Sequence, residues 1–296
     1  MAHSFHARQR RREASAIGRL LAGLIDYAGL YPPAGLDMHS AVENYLAYKN
    51  GNHAWALGRF VLDVKRVDEF CKVAGEDCGD VRLSLIAPAD FDRKALTGLI
   101  ERGIRVDAVE FKIDSFTGVE LHTWRGPGIE TYMELPAGRT DADMLDAISA
   151  AGVRTKLRMG GVVAEAFPAT KTVAGVLTAL AGRNLAFKAT SGLHHAIRSR
   201  HHFTYEPGSP GGMMHGFVNL FCAAALIHFG KDAHAAETML EEQDAKAWHV
   251  TPQAIEWHGM RWSAERIGEV REKFMRSFGS CSFEEPIREL EALGWL

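Results

Sequence analysis

The chain has 296 residues and a formal net charge of −3, with 47% hydrophobic and 24% charged residues. This balance gives no reason to expect nucleic acid or a membrane surface as a general partner, and no apolar run is long enough to cross a bilayer. The length suits a single (β/α)8 barrel, which typically takes about 250 residues.

Strand-like and helix-like segments alternate along the chain, which is typical of a parallel α/β fold. The pattern predicts strands at 24–28, 58–64, 81–87, 108–113, 130–136, 154–160, 185–190 and 274–279. Helical patterns lie between them, and the one at 115–126 is the weakest. We therefore predict an α/β fold in which residues 1–296 form a single (β/α)8 TIM-type barrel domain, with a basic N-terminal arm or helix at 1–20.

The regular alternation ends after the seventh predicted strand. Residues 191–216 are rich in glycine and contain five histidines, and a long loop inside a compact domain is usually functional. An apolar helix, a charged helix and a small hairpin around Pro252 are predicted next. Residues 191–262 are thus predicted to form a loop and insertion over the active-site end.

Charged residues alternate with apolar ones inside the predicted strands. The set comprises Asp26, Asp63, Glu110, Lys112, Glu134, Lys156, Arg158 and Lys188. A period of two places them on the face opposite their apolar neighbours. In a barrel the apolar face meets the outer helices, so the charged face would point inward. Because buried charge is costly unless it is paired or used, the pattern favours a catalytic mouth at the carboxyl ends of the strands.

The lysines of this set suggest amine chemistry. Lys156 and Lys188 lie on neighbouring predicted strands with inward parity, and Lys112 has the same parity on strand four. Nearby cations lower the pKa of a lysine, and a neutral amine can attack a carbonyl. Glu134 or Glu110 would then move a proton. The alternative is that the lysines only neutralise the carboxylates around them.

The stretch FKATSG, which contains Lys188, follows a strand that carries Lys156, and together they resemble class I aldolases of the deoxyribose-phosphate aldolase type. Those barrels have lysines on strands six and seven, and the one that forms a Schiff base is followed by Thr-Ser-Thr-Gly. Here Ala-Thr-Ser-Gly follows Lys188 and Leu-Arg-Met-Gly follows Lys156, so the choice of lysine stays open. The strand-four acid of the family has an imperfect counterpart in Glu110 or Asp114. The resemblance covers short parts of two strands and implies lyase chemistry through an imine.

Anion-binding and acid–base groups complete the predicted site. Arg158 and the turn with Gly279, Ser280 and Ser282, which leads into the last helix, would hold a carboxylate or phosphate. Asp26 and Asp63 are further candidate substrate-binding residues. His194 or His195 would act as an acid or base from the loop.

Two alternatives remain open on the same residues. His194, His195 and His215 with Glu134 or Asp63 could hold a divalent metal such as zinc or manganese, for a metal-dependent lyase, isomerase or hydrolase. A non-catalytic barrel that only binds a ligand is the other. The inward charges favour an enzyme over this second alternative.

The leading hypothesis is a lyase or aldolase-like enzyme without a cofactor that acts on a small anionic carbonyl or hydroxy metabolite. Neither nucleic acid nor a membrane is an expected partner, and tryptophans late in the chain favour a homodimer. The four cysteines form no CxxC pair. We therefore expect no disulfide framework and a reducing, cytoplasmic location.

Overall fold

A closed barrel of eight parallel strands forms the centre of the computed structural model, which describes residues 14–112, 128–135, 138 and 140–296. Around the barrel the strand order is β1-β13-β7-β6-β5-β4-β3-β2. These strands are β1 Ile25–Tyr27, β2 Leu57–Asp63, β3 Leu83–Ala87, β4 Val106–Lys112, β5 Glu130–Glu134, β6 Arg154–Arg158, β7 Phe187–Thr190 and β13 Met275–Ser280. The predicted TIM-type barrel is confirmed, and each predicted strand overlaps an observed one.

Helices connect the strands and cover the outside of the barrel, as in other (β/α)8 folds. The α-helices of the described residues are α1 Ala16–Leu21, α2 Met38–Lys49, α3 Val67–Ala74, α4 Arg93–Glu101, α5 Ala142–Ala151, α6 Thr170–Ala181, α7 Phe217–His228, α8 Ala233–Glu241, α9 Ala264–Lys273 and α10 Glu284–Ala292. The weak helix predicted at 115–126 lies outside the described residues.

Local sequence explains where several of these helices begin and end. The Asp37 carboxylate accepts a hydrogen bond from the backbone N–H of Ser40 and caps the start of α2. Gly152 ends α5 in the left-handed conformation that glycine adopts readily. Residues 217–227 of α7 are all buried, which accounts for the apolar run of this helix.

The chain between β7 and the last barrel strand adds two small sheets. Strands β8 Ser199–His202 and β9 Gly211–Met214 form an antiparallel hairpin in the glycine-rich loop. Strands β10 Trp248–Val250, β11 Ala254–Trp257 and β12 Met260–Ser263 form an antiparallel sheet that contacts α1. The predicted hairpin around Pro252 is the first half of that sheet.

The cysteines differ from expectation at one pair. Cys71, in α3, and Cys78 are joined by a disulfide, whereas Cys222 and Cys281 are free and buried. The prediction of unpaired cysteines is therefore wrong at this pair, because residues seven apart are brought together by the tight turn after α3. Among the residues that the structure describes, no helix has the length and apolar character needed to cross a membrane.

Candidate active site

The interior of the barrel holds a continuous row of alternating charges, which we call the ion-pair row. It runs in the order Asp26, Lys188, Glu110, Lys156, Glu134, Arg158. The members come from β1, β7, β4, β6 and β5, and each lies on the inward face that the period-two pattern predicted. Asp26 and Lys188 meet inside the barrel although β13 lies between their strands, β1 and β7, because both side chains point into the interior.

The deepest part of the row is tightly paired. Lys188 Nζ lies 2.6 Å from Asp26 Oδ2 and 2.6 Å from Glu110 Oε1. Lys156 Nζ lies 2.8 Å from Glu110 Oε2, so Glu110 bridges the two lysines. Charge-assisted pairs of this length compensate the cost of taking charges out of water only when the remaining polar atoms also have partners.

The row's partners set the protonation of its buried members. Burial alone would lower the pKa of Lys188, but Asp26 and Glu110 outweigh burial and raise it. Burial alone would raise the pKa of Glu110, but Lys156 and Lys188 hold it well below its usual range. Lys188 is therefore an ammonium ion and Glu110 a carboxylate at neutral pH.

Two serine hydroxyls and a backbone N–H add hydrogen bonds to the carboxylates at the deep end, and each serine shares its acceptor oxygen with Lys188. Ser84 Oγ donates to Glu110 Oε1 at 2.5 Å, and Ser277 Oγ donates to Asp26 Oδ2 at 2.8 Å. The backbone N–H of Arg59 donates to Asp26 Oδ1. Neither serine was among the predicted site residues, although both lie inside barrel strands.

The row ends at the carboxyl ends of β5 and β6, which is the mouth of the barrel. Glu134 Oε2 lies 2.9 Å from Lys156 Nζ as an ion pair without an aligned hydrogen bond, and Glu134 Oε1 lies 3.3 Å from Arg158. The guanidinium of Arg158 also donates to Ser191 Oγ. Burial would raise the pKa of Glu134, but Lys156 and Arg158 outweigh it and lower the value.

Two other predicted members stand apart from the row. Lys112 is the last residue of β4, and its side chain is exposed. Asp63 ends β2 and its Oδ1 accepts from the backbone N–H of Lys65, so it caps a short 3-10 turn. Lys112 is therefore exposed rather than buried as predicted, because it is the last residue of β4, at the mouth, where it lies opposite Glu134 on β5.

His194 lies at the centre of a polar cluster between the loop after β7 and the start of α10. Its Nδ1 is 3.2 Å from Glu285 Oε2 and 3.8 Å from Cys281 Sγ, and Ser280 Oγ is 3.4 Å away. Burial opposes a proton on this ring, but Cys281 and Glu285 together raise the pKa of His194 to about 9. His194 is thus a protonated imidazolium at neutral pH rather than a ready base.

The predicted anion-binding turn has its polar atoms engaged within this cluster. Ser282 N–H donates to Ser280 Oγ, and Ser282 Oγ accepts from the backbone N–H of Glu285. Gly279 pairs with Thr190 on β7 and with Asp26 on β1. The Glu285 carboxylate contacts His194.

His195 pairs with a different glutamate. Its Nδ1 lies 2.6 Å from Glu289 Oε1, and its ring stacks on His201 with centroids 3.3 Å apart and an angle of 7°. One ligand atom from each of His195, His201 and Glu289 lies within 4.8 Å of the others. The lone pairs of imidazole nitrogens lie in the ring planes, so parallel stacked rings direct them side by side rather than toward a common ion. The donor types suit a metal, but this arrangement of the two rings does not.

The metal set predicted from the sequence is dispersed. His215 is buried, its Nε2 lies 2.8 Å from the carbonyl oxygen of Pro168, and burial with Arg198 lowers its pKa to about 4. Glu134 is committed to the ion-pair row and His194 to the Cys281 cluster. These three residues therefore do not share a ligand site with His195.

A cavity of about 400 Å³ adjoins the histidine clusters. Its lining includes His194, His195, His201, Tyr205 and Glu285, but not Lys156 or Glu134. The loop after β7 thus forms a pocket beside the exit of the ion-pair row.

No protein-family model matches this chain, and no curated protein matches it either. The resemblance to class I aldolases therefore remains a prediction from the two short strand motifs.

Proposed function

We propose that this barrel is an enzyme that uses Lys156 to form an imine with a small anionic carbonyl compound, as a lyase of the class I aldolase kind. One observation carries the proposal. The exposed fraction of the side chains rises along the ion-pair row, from 1% at Lys188 and 2% at Glu110 to 5% at Lys156, 10% at Glu134 and 37% at Arg158. Ion pairs that only neutralised buried charge would not require exposed charged side chains at the mouth of the barrel.

The gradient assigns different parts to the two lysines. Lys188 is fully enclosed and held as an ammonium ion by two carboxylates, so it positions Glu110 rather than attacking a substrate. Lys156 is the lysine of the row nearer to solvent. Its neighbour Glu134 would accept the ammonium proton, and the freed amine would attack the carbonyl carbon, with the carbonyl oxygen leaving as water.

Arg158 accounts for the anionic group of the substrate. Its guanidinium is the most exposed cation of the row, and it is held by Glu134 and Ser191 at distances of 3.3 Å. These contacts use one N–H of each guanidinium nitrogen, so one N–H on Nη1 and one on Nη2 remain to donate to a carboxylate or phosphate. The substrate class that fits is an aldehyde or ketone with an acidic group a few bonds from the carbonyl.

Borohydride trapping tests this proposal. The full chain is incubated with pyruvate, glyoxylate or glyceraldehyde 3-phosphate, reduced with borohydride and examined by intact mass and peptide mapping. We expect a reduced adduct on the peptide that contains Lys156, its loss in Lys156→Met and its retention in Lys112→Met, the control at the same mouth. An adduct found only on exposed lysines, or none with any carbonyl that the protein turns over, would rule out the imine.

A metal-dependent reaction is the second candidate, and one observation favours it. His195, His201 and Glu289 are metal-type donors beside the 400 Å³ cavity, and one ion could bind both imidazoles only if the stacked rings turned apart. Metal analysis of the purified protein, next to His201→Ala, tests it. Stoichiometric zinc or manganese that is lost in the variant would support it, whereas metal-free protein after dialysis against both ions would exclude it.

A further inference from the structure

A second cavity, of about 600 Å³, lies at the end of the barrel opposite the mouth, and we call it the amino-end cavity. Its walls include Ala22 and Gly23, which precede β1, and residues at the start of their strands, Leu57 of β2 and Glu130 of β5. Helix α9 contributes the remaining side. None of the residues assigned to the proposed imine chemistry lines this cavity.

Positive charge dominates the lining. Among the described residues, five arginines face three carboxylates, a surplus of two positive charges. The arginines are Arg19, Arg59, Arg82, Arg271 and Arg276, and the carboxylates are Asp26, Glu130 and Glu272. Asp26 is already paired with Lys188, so its charge is shared with the ion-pair row. Arg19 is exposed and Arg82 pairs with Asp107, which lies outside the lining, at 2.6 Å. The cations that favour an anionic ligand are therefore Arg59, Arg271 and Arg276.

Glu130 does not remove the surplus, because its oxygens are fully used. Arg59 lies at 2.7 Å, Arg276 at 2.9 Å and Arg154 at 3.3 Å, and the hydroxyl of Tyr132 donates at 2.6 Å. Burial alone would raise the pKa of Glu130, but Arg59 and the other partners lower it to about 2. One carboxylate therefore serves three guanidinium groups.

Arg271 has no carboxylate within 4 Å in the described part of the chain. Its guanidinium donates to the backbone carbonyl oxygens of Ala22, Met275 and Arg276. Burial, with the nearby Arg276 cation, lowers its pKa to about 10. Arg271 is thus a buried cation without a neighbouring anion in that part of the chain. Its burial costs free energy unless a negative charge binds beside it.

Three unpartnered donors belong to residues of the same lining. Arg59 Nε, Arg271 Nε and Trp55 Nε1 are buried and have no hydrogen-bond partner among the described residues. All three are N–H groups, and buried donors are normally satisfied. Acceptor atoms are what this cavity lacks.

We propose that the amino-end cavity binds a small oxyanion with two negative charges, of the phosphate type, either as inorganic phosphate or as the phosphoryl group of a metabolite. Arg59, Arg271 and Arg276 would hold its oxygens through charge-assisted hydrogen bonds. This site lies at the opposite end from the mouth and does not depend on the imine chemistry proposed above.

Calorimetric titration of the full chain at constant ionic strength tests the site, with inorganic phosphate and glycerol 3-phosphate as separate probes. We expect one phosphate to bind per chain at this site, and about tenfold weaker binding in Arg59→Met and in Arg276→Met. Arg102→Met, an exposed arginine paired with Asp68, is the control and should bind as the wild type does. Tighter binding of glycerol 3-phosphate would assign the site to phosphate esters, and equal or weaker binding to inorganic phosphate.

Two further variants distinguish binding in the amino-end cavity from a loss of folding and from phosphate binding at another site. Glu272→Gln removes an exposed carboxylate of the lining without touching the arginine contacts of Glu130, and we expect it to tighten phosphate binding. Arg158→Met removes any phosphate binding at the mouth and should leave the binding that is sensitive to Arg276→Met. The proposal would be overturned if phosphate did not bind, if binding were insensitive to Arg276→Met and Glu272→Gln, or if it were lost in Arg158→Met. The arginines would then only stabilise this end of the barrel.

Discussion

At the scale of single residues, Lys188 neutralises more buried charge than a simple ion pair does, because it contacts two buried carboxylates. It alone separates Asp26 from Glu110, and both of its contacts measure 2.6 Å. Replacement by methionine would keep the volume but leave two buried carboxylates without their common cation. The cost of such a loss far exceeds that of removing a surface ion pair.

We therefore expect Lys188→Met to lower the free energy of unfolding by about 3 to 5 kcal/mol, measured by urea denaturation at pH 7. Lys72→Met, on the exposed side of α3, is the matched control and should change it by less than about 0.5 kcal/mol. Adding Asp26→Asn to the first variant should recover part of the loss. Equal stabilities of the two single variants would show that the row is not energetically coupled.

His194 makes a separate prediction about pH. Its pKa in the folded state is about 9, above the value of about 6.5 in an unfolded chain. The folded state therefore binds more protons between these values, so the stabilisation is complete below pH 6.5 and is lost as the pH rises through 9. We expect His194→Asn to remove this decline, up to about 3 kcal/mol.

Urea denaturation at pH 6.5, 8 and 9.5 measures the difference between the wild type and the variant. His258→Asn serves as the control, because His258 is a largely exposed histidine that also contacts a glutamate, Glu242. If the wild type and His194→Asn lost stability in parallel over this interval, the imidazolium in the Cys281 cluster would not be the group responsible.

At the scale of elements, two loops at the mouth are held together by glycines. Gly192 follows β7 with φ +70°, and a Cβ there would lie 2.8 Å from Gly160 Cα and 2.8 Å from Phe167 Cε1. The Phe167 ring in turn stacks on Phe203 of the β8–β9 hairpin. The loops after β6 and β7 therefore pack as one unit because Gly160 and Gly192 leave room for each other and for the Phe167 ring.

Gly192→Ala should destabilise this unit by more than backbone strain alone. Gly208 provides the matched control, since its φ is +77° but nothing lies within 4 Å of its Cβ position. We expect about 1 kcal/mol of destabilisation for Gly208→Ala from the left-handed backbone, and about 1 to 3 kcal/mol more for Gly192→Ala from the clash. Limited proteolysis within 191–216, together with urea denaturation, distinguishes them; equal rates of cleavage would contradict a packed contact.

The elements themselves were predictable, because their signals are local. Period-two alternation located the eight barrel strands. The same alternation placed Glu110, Lys156 and Lys188 on the inner face of the barrel. It did not predict the exposure of Lys112, since alternation alone does not reveal which inward residue is the last of its strand.

Pairings between distant residues were not predictable from these signals. Glu289 lies 94 residues after His195, and nothing in the sequence relates the two until α10 packs beside the loop after β7. The arginines at 59, 154 and 276 are likewise scattered over three strands, so their convergence on Glu130 appears only when the barrel closes. The odd or even position of a residue along its strand predicts which face of the sheet its side chain lies on. Which side chains it contacts there depends on strand order and register.

At the scale of the whole molecule, acid should unfold this protein early. Ion-pair and hydrogen-bond partners lower the pKa of Glu110, Glu134 and Glu285, and the pKa of Glu130 falls to about 2. Carboxylates with a lowered pKa stabilise the fold above their unfolded value, and this stabilisation is lost as the pH falls through the folded values. The pKa of His215, about 4 when folded, adds a loss below about pH 6.5.

We therefore expect the free energy of unfolding to fall steadily from pH 6.5 to pH 3. Each carboxylate should contribute on the order of 1 to 2 kcal/mol to this fall. Urea denaturation at four pH values in this range measures it. Glu130→Gln should flatten the decline, whereas Glu76→Gln, an exposed glutamate after α3, should leave it as it is. A wild-type stability that stays constant down to pH 3 would contradict the network of buried carboxylates.

The alternation of charge in the ion-pair row also constrains how this protein can evolve. The charges of its three acidic and three basic residues sum to zero. Replacing any one of them with an uncharged residue therefore leaves one unbalanced charge inside the barrel. Divergence at these positions must therefore pass through compensating pairs such as Asp26 with Lys188. A library randomised at both positions and selected for folding should return the pair intact or replaced together, with few sequences that keep only one of the two charges.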